Sequence, residues 1–241
     1  MKIGILGAFY NCAKDVKEVL SPFMGRGFKF SVCNIQFDHF STPPDSETYD
    51  ALMATPGETI CVSVSPVPMK EHEARSMAMN YLLERDVDYV WILDGDEFYT
   101  TKEVDNIVEF LSQQSAWSEQ YYSISFKNYV FDGKSWIHGF RPPRIFSNRV
   151  RGGLARFYWD NDVVYKDGSV YSTLNETKIP ESVAHVRHMT WLHSNGKEKV
   201  EYQLKHFGAC SYKWDDKENE LKFDETFYGR QNKEIPELHY D

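Results

Sequence analysis

Asp88-Tyr89-Val90-Trp91-Ile92-Leu93-Asp94-Gly95-Asp96-Glu97-Phe98 is the stretch on which the reading of the fold turns. Tyr89 to Leu93 is an unbroken apolar run, short and without a polar face, which is the pattern of a strand buried on both sides in a parallel sheet. Carboxyl groups follow at once. Upstream, residues 71–85 carry Ala74, Met77, Ala78, Tyr81 and Leu82 at i, i+3, i+4, i+7 and i+8, one stripe of an amphipathic helix. Downstream, Thr100-x-x-Glu103 has the spacing of a capping box and opens a helix striped by Val104, Ile107, Val108 and Leu111. Helix, buried strand, acidic turn and helix make up the alternation of a mostly parallel sheet covered by helices.

The same alternation extends toward the start of the chain. Ile3 to Phe9 reads as a strand, Val16, Val19, Leu20 and Phe23 as a helical stripe, and residues 28–35 and 60–64 as strands, with Ser41-Thr42-Pro43-Pro44-Asp45-Ser46 as a connecting loop. The second half reads differently. Asp132-Gly133 separates the runs 121–131 and 135–140, and Asp167-Gly168 separates 163–166 and 169–171, so antiparallel hairpins are expected there. A last helix is expected over 197–207, striped by Val200, Leu204 and Phe207 and ended by Gly208, before a polar, acidic tail.

Composition narrows the function classes. The 241 residues carry 27 basic and 36 acidic side chains, a formal net charge of −9, which argues against a nucleic-acid partner. No run approaches the roughly 18–20 apolar residues of a membrane span. The apolar opening is broken by Asn11 and Lys14-Asp15 and reads as a first strand rather than a leader. Cys12, Cys33, Cys61 and Cys210 have no zinc or CxxC spacing and read as reduced thiols, so a cytoplasmic location is expected. Aromatic residues are abundant, with 16 Phe, 15 Tyr and 6 Trp.

Ligands of open α/β sheets bind outside the carboxyl ends of the strands, where Asp94, Asp96 and Glu97 fall. Alternation along extended chain would put Asp94 and Asp96 on one side, with Gly95 allowing close approach. Paired carboxylates there suit a hard divalent cation that also holds phosphate oxygens; acids stabilising a helix N-terminus are the competing account. A calcium-binding EF-hand loop does not fit, because Tyr99 stands where its glycine is required and Asp105 where its last ligand would be glutamate.

Glu73-Ala74-Arg75, the helix that follows, and Asp88 to Phe98 resemble the nucleotide-sugar glycosyltransferases of the GT-A fold, in particular the family 2-like group, whose DxD motif commonly reads D-x-D-E-F. Asn11 after the first strand is compatible with that group. Arg187-His188-Met189-Thr190-Trp191-Leu192-His193, followed by 197–208, resembles its H-x-x-W segment and basic helix. The resemblance covers most of residues 1–208. It implies a Rossmann-like, GT-A-like α/β fold in a single domain, with 1–99 as the nucleotide-sugar half, 100–193 as the acceptor half and 194–241 as C-terminal helix and tail.

What it implies for individual residues is specific. Asp96 would be the ligand of Mn²⁺ or Mg²⁺ and His188 would complete the metal shell, while Asp94 and Arg75 would lie at the donor. Asp38, beyond the second strand, would meet the base or ribose. Arg141 and Arg144, in Arg-Pro-Pro-Arg, could pair with phosphate or lie in a solvated loop. In Tyr158-Trp159-Asp160-Asn161-Asp162, Asp162, with Asp160 as substitute, would be the base that deprotonates the acceptor, unless these are turn-forming aspartates. Aromatic residues beside these motifs, Phe98, Tyr99, Tyr158, Trp159 and Trp191, would suit sugar faces and nucleobases. The implied reaction is transfer of a hexose from a nucleoside diphosphate sugar to a carbohydrate or other hydroxyl acceptor, with inversion.

Two other readings differ in class. A nucleotidyltransferase also uses carboxylates and a divalent ion, but Gly4-Ile5-Leu6-Gly7-Ala8-Phe9 is neither G-x-G-x-x-G nor a P-loop. A non-catalytic carbohydrate-binding module on the same fold would bind sugar without metal or turnover.

Overall fold

Strand β4 (Tyr89–Asp94) takes up the central apolar run, and every residue from Tyr89 to Leu93 is buried. The computed structural model of the chain describes residues 1–38, 42–55, 60–130, 134–138, 141–159, 162–189, 197, 200–201, 204–205, 210, 212–218, 220–226 and 239–240. Before it come β1 (Ile3–Ala8), α1 (Ala13–Leu20), β2 (Lys29–Cys33), α2 (Ser46–Met53), β3 (Ile60–Ser63) and α3 (Glu71–Leu83). After it come β5 (Glu97–Phe98), α4 (Thr101–Ser112), β6 (Gln120–Ser123), β7 (Ser125–Val130), β8 (Ser135–His138), β9 (Pro143–Ser147), β10 (Leu154–Trp159) and β11 (Asp162–Tyr165). The remaining strands are β12 (Asn175–Lys178), β13 (His185–His188), β14 (Tyr212–Asp215), β15 (Glu220–Phe223) and β16 (His239–Tyr240).

The chain divides into two compact units, one of Met1–Ser125 with Arg141–Val186, the other of Phe126–Phe140 with Arg187–Asp241. The first holds a seven-stranded sheet in the order β12-β6-β9-β4-β1-β2-β3. Pairing is parallel throughout except that β9 runs against both β4 and β6. This is the mostly parallel, helix-flanked α/β sheet with antiparallel additions that the sequence predicts for a GT-A-like fold.

Right-handed crossovers place the helices. The chain steps one way from β1 to β2 and back the other way from β3 to β4, so α1 and α3 cover opposite faces. On the α3 face, Leu6, Cys33, Val90 and Ile92 pack with Ala74, Ala78 and Leu82. Ser31, polar and fully buried there, donates to the carbonyl of Ala78 at 2.7 Å, which meets its hydrogen-bonding need. On the other face Trp91 and Tyr99 meet Phe23 edge to face, with ring centroids 5.1 and 5.4 Å away.

Several elements were not foreseen, among them β10, β12 and the β14–β15 hairpin in what reads as a polar tail. The loop read over 41–46 gives way to α2, whose N-terminus Asp45 caps by accepting from the Thr48 N–H at 2.6 Å. Arg-Pro-Pro-Arg leads straight into β9, in the middle of the sheet; Pro143 is tolerated because it is that strand's first residue. The Asp167-Gly168 turn is present, with Gly168 at φ +86° and its N–H donating to the Tyr165 carbonyl at 2.9 Å, but 169–171 does not form the expected second strand: β11 pairs with β10 instead, and beyond the turn Val164 and Val170 form an isolated bridge.

In the second unit β7 and β8 pair antiparallel, and β16 pairs with β8. The flanking strands thus form the expected hairpin, while Asp132-Gly133 lies outside the described residues. A hairpin of β14 and β15 packs Tyr212 and Leu221 with Ile137, Val200 and Cys210. Described positions within 197–205 are helical; Phe207 and Gly208 lie outside the described residues.

Candidate functional site at the carboxyl end of β4

Strand β4 delivers Asp94 to the carboxyl edge of the sheet on the face of Val90 and Ile92, toward α3. Arg75, in the second turn of α3, is buried and meets it there, with Nη1 2.8 Å from Oδ1 and Nη2 3.0 Å from Oδ2 of Asp94. The same guanidinium donates through Nε (3.0 Å) and Nη2 (2.6 Å) to Oε1 of Glu71, four residues earlier on the helix. Burial alone would lower the pKa of Arg75, but Asp94 and Glu71 more than offset it and hold the group charged.

A second guanidinium arrives from β9. Arg144, also buried, donates from Nη2 at 2.5 Å and Nε at 3.2 Å to the two carboxyl oxygens of Glu97, and its Nη2 lies 3.6 Å from Oδ2 of Asp94. Glu97 is fully buried. Burial, reinforced by the charges of Asp94 and Asp96 and opposed by Arg144, pushes its carboxyl above the usual carboxylate range. Two guanidinium groups therefore meet three carboxyl groups, Glu71, Asp94 and Glu97, with Asp96 a further acid in the same turn.

Between the clamped residues, Gly95 and Asp96 make a turn. The Gly95 N–H donates to the Ala8 carbonyl at 2.9 Å, and a Cβ on Gly95 would stand 2.7 Å from the Cys12 sulfur. Close approach is the reason for glycine here. Asp96 is half-buried, and its charge, after burial, raises the pKa of the Cys12 thiol at the head of α1. Asp94 thus looks toward α3, while the charge of Asp96 is felt both by Cys12 and by Glu97.

The other predicted residues fall in three places. Asp38 is exposed, follows the Phe37–Met69 bridge beyond β2, and donates its N–H to the Met69 carbonyl at 2.9 Å, on the same edge of the sheet as Asp94. Asp162 opens β11 opposite Trp159, and its charge acts on the Tyr171 hydroxyl, which burial first and Asp162 second push up to about 12. Strand β10 packs against α3, where the Phe157 N–H donates to the Ser76 hydroxyl at 2.9 Å. Asp160, Trp191 and the side chain of Trp159 lie outside the described residues.

His188 belongs to the second unit. Its Nδ1 is 2.7 Å from Oδ1 of Asn128, and its ring lies 4.9 Å from that of Phe126. A carbonyl oxygen only accepts, so with Asn128 presenting Oδ1 the hydrogen of this bond sits on Nδ1 of His188. His185, whose Nδ1 is 3.8 Å from Glu103, takes the other side of the strand. Arg141 donates to the Ile179 carbonyl at 2.7 Å and to Glu181 at 3.3 Å, neither a solvated fork nor a vacant one. Phe98 and Tyr99, expected as sugar-facing rings, are buried and serve the core, whereas Tyr158 is exposed.

Among the described residues no group of three or more His, Cys, Asp and Glu side chains is arranged to hold a metal ion unaided. The donor set at the turn nevertheless fits Mg²⁺ or Mn²⁺ held by a single carboxylate, since such ions readily take the rest of their shell from phosphate oxygens and water. Reasoning from sequence missed Glu71 and the buried pairing of Glu97 with Arg144. The i, i+4 spacing of Glu71 and Arg75 was available as a signal; the pairing of Glu97 with Arg144 spans 47 residues and had none.

No protein-family model and no curated protein sequence matches the chain. Among solved structures it is similar to S. aureus TarS residues 1–349, at 13% identity over 84% of this chain and 63% of that one, with a TM-score of 0.47. It is also similar to the same TarS fragment in complex with UDP-GlcNAc, at 15% identity over 61% of this chain and 45% of that one, with a TM-score of 0.37. Against S. aureus TarS the figures are 12% identity, 84% and 38% coverage and a TM-score of 0.41, so the chain spans well under two thirds of that protein's length.

Proposed function

We propose that this chain is a metal-dependent glycosyltransferase that moves a sugar from a nucleoside diphosphate sugar to a hydroxyl acceptor. The observation that carries the reading is the Asp94-Gly95-Asp96-Glu97 turn, set at the carboxyl end of the central strand with Asp94 and Glu97 each locked by a buried arginine. Asp96 would hold Mn²⁺ or Mg²⁺, which when bound supplies Lewis-acid stabilisation of the charge developing on the diphosphate.

The chain's own residues account for the rest. Asp94, fixed by Arg75 and Arg144, presents a carboxylate at the edge where a ribose hydroxyl would lie, and Asp38 flanks the same edge. Asp162, at the start of β11 and near Tyr171, accepts the proton of the attacking hydroxyl. If Asp162→Asn and Asp160→Asn each keep full transfer rates, the base lies elsewhere. The reading is tested by screening nucleoside diphosphate sugars for Mn²⁺-dependent thermal stabilisation, because a bound donor raises stability by mass action. At least one donor should stabilise the wild type and not Asp96→Ala; a flat panel would sink the proposal. Release of pyrophosphate instead of nucleoside diphosphate would favour a nucleotidyltransferase.

A further inference from the structure

The antiparallel strand β9 enters the sheet beside the strand that ends in the acidic turn, and what it delivers there is Arg144. From this geometry we infer that Arg144 and Glu97 are positioning residues: their buried pair fixes the turn so that Asp96 is held ready for a divalent ion. The inference rests on the function proposed above and gives Arg144 and Glu97 a positioning role toward Asp96.

Three observations support it. The hydrogen-bonded pair is fully buried, and a buried polar pair adds little stability over well-packed apolar side chains, so stability alone is a poor reason for it to be there. Arg144 does not serve Glu97 only. Its Nη2 lies 2.5 Å from Glu97 Oε1 and 3.6 Å from Asp94 Oδ2, so one planar fork ties the residue before the turn to the residue after it. Arg75 holds Asp94 from the opposite element, α3. The turn itself has no slack, since the Gly95 N–H is bound to Ala8 and its Cα faces the Cys12 sulfur. Asp96 therefore sits between two anchored neighbours, and its direction is set by groups on α3, β1 and β9 together. Carboxylates that ligate metals depend on such outer partners, whose loss typically weakens metal affinity about 10- to 100-fold.

The test separates positioning from support of the fold. Mn²⁺ is titrated into the full-length chain and the free ion followed by electron paramagnetic resonance, with urea unfolding measured in parallel without metal. Arg144→Lys keeps the charge but loses the planar fork, and should weaken Mn²⁺ binding about tenfold or more. Arg144→Met combined with Glu97→Leu removes both buried polar partners. It should unfold at a urea midpoint close to that of the wild type and still bind Mn²⁺ as weakly as Arg144→Lys does. Wild-type Mn²⁺ affinity in both variants would overturn the inference while leaving the proposed function standing. A wild type that binds no Mn²⁺, alone or with any nucleoside diphosphate, would overturn the proposed function and this inference with it.

Discussion

Gly95 is the residue at which the site is most sensitive to a single atom. Its backbone does not need the left-handed region; the constraint is space, with a prospective Cβ 2.7 Å from the Cys12 sulfur and 3.3 Å from the Phe9 ring. Gly95→Ala should lower stability by about 1–3 kcal/mol, the usual range for overpacking a tight interior. Cys12→Ala in the same chain should recover part of that loss, because the sulfur is the nearest clash. Equal losses in the single and double variants, read from urea midpoints, would show that the strain lies elsewhere. Sequence reading reached Asp94, Gly95 and Asp96 through their place after an apolar run. It could not reach the directions of the carboxylates, because the two guanidinium groups that set them come from α3 and from β9, far away along the chain.

Elements were legible where one residue pattern had one structural solution. The run at β4, the stripe of α3 and the Thr100–Glu103 box each specify a single state, and all three form as expected. Helix α2 and strand β9 were not legible for opposite reasons. The α2 segment buries only Thr48 and Leu52, too few to show a stripe, and depends on the Asp45 cap and on the Asn11 side chain, which accepts from the Asp45 N–H at 2.7 Å. In β9 two prolines signal a loop, and only the alignment of Ile145 beside Trp91 makes Arg144-Ile145-Phe146 a central strand. The capping box offers a test at this scale. Thr100 accepts from the Glu103 N–H at 3.2 Å while Glu103 accepts from the Thr100 N–H at 2.7 Å. Thr100→Ala should cost about 1 kcal/mol in chemical denaturation, whereas Thr100→Ser, which keeps the acceptor, should cost much less. Equal losses from the two would mean that the cap is not what holds the start of α4.

At the scale of the molecule the acidic balance has a structural use far from the site, at the amino edge of the sheet. Asp86 and Asp88, in the turn before β4, draw together the start of the chain and the segment after β9. The Lys2 N–H donates to Asp88 at 2.6 Å, Lys2 Nζ reaches Asp86 at 3.2 Å, and Arg149 donates to Asp86 at 2.5 Å and to Asp88 at 2.7 Å. Hydrogen bonds from Arg149 and then Lys2 hold the Asp86 carboxyl down at about 2. At Asp88, burial pushes upward but is outweighed by the Lys2 N–H and Arg149, so this carboxyl too lies below its ordinary value. A carboxyl depressed in the folded state contributes stability that is present above its unfolded pKa of about 4 and disappears as pH falls toward the folded value. The contribution should therefore fade between about pH 4 and pH 2. Arg149→Ala removes the principal partner, so the variant should be less stable than the wild type at pH 6, and the gap between them should narrow steadily as the pH is lowered through that window. Urea midpoints at intervals from pH 6 to pH 2 read the gap directly. A difference that stays constant would show that Arg149 acts through packing of its stem and not through the two carboxylates, and that the join between chain start, β4 and β9 is apolar in origin.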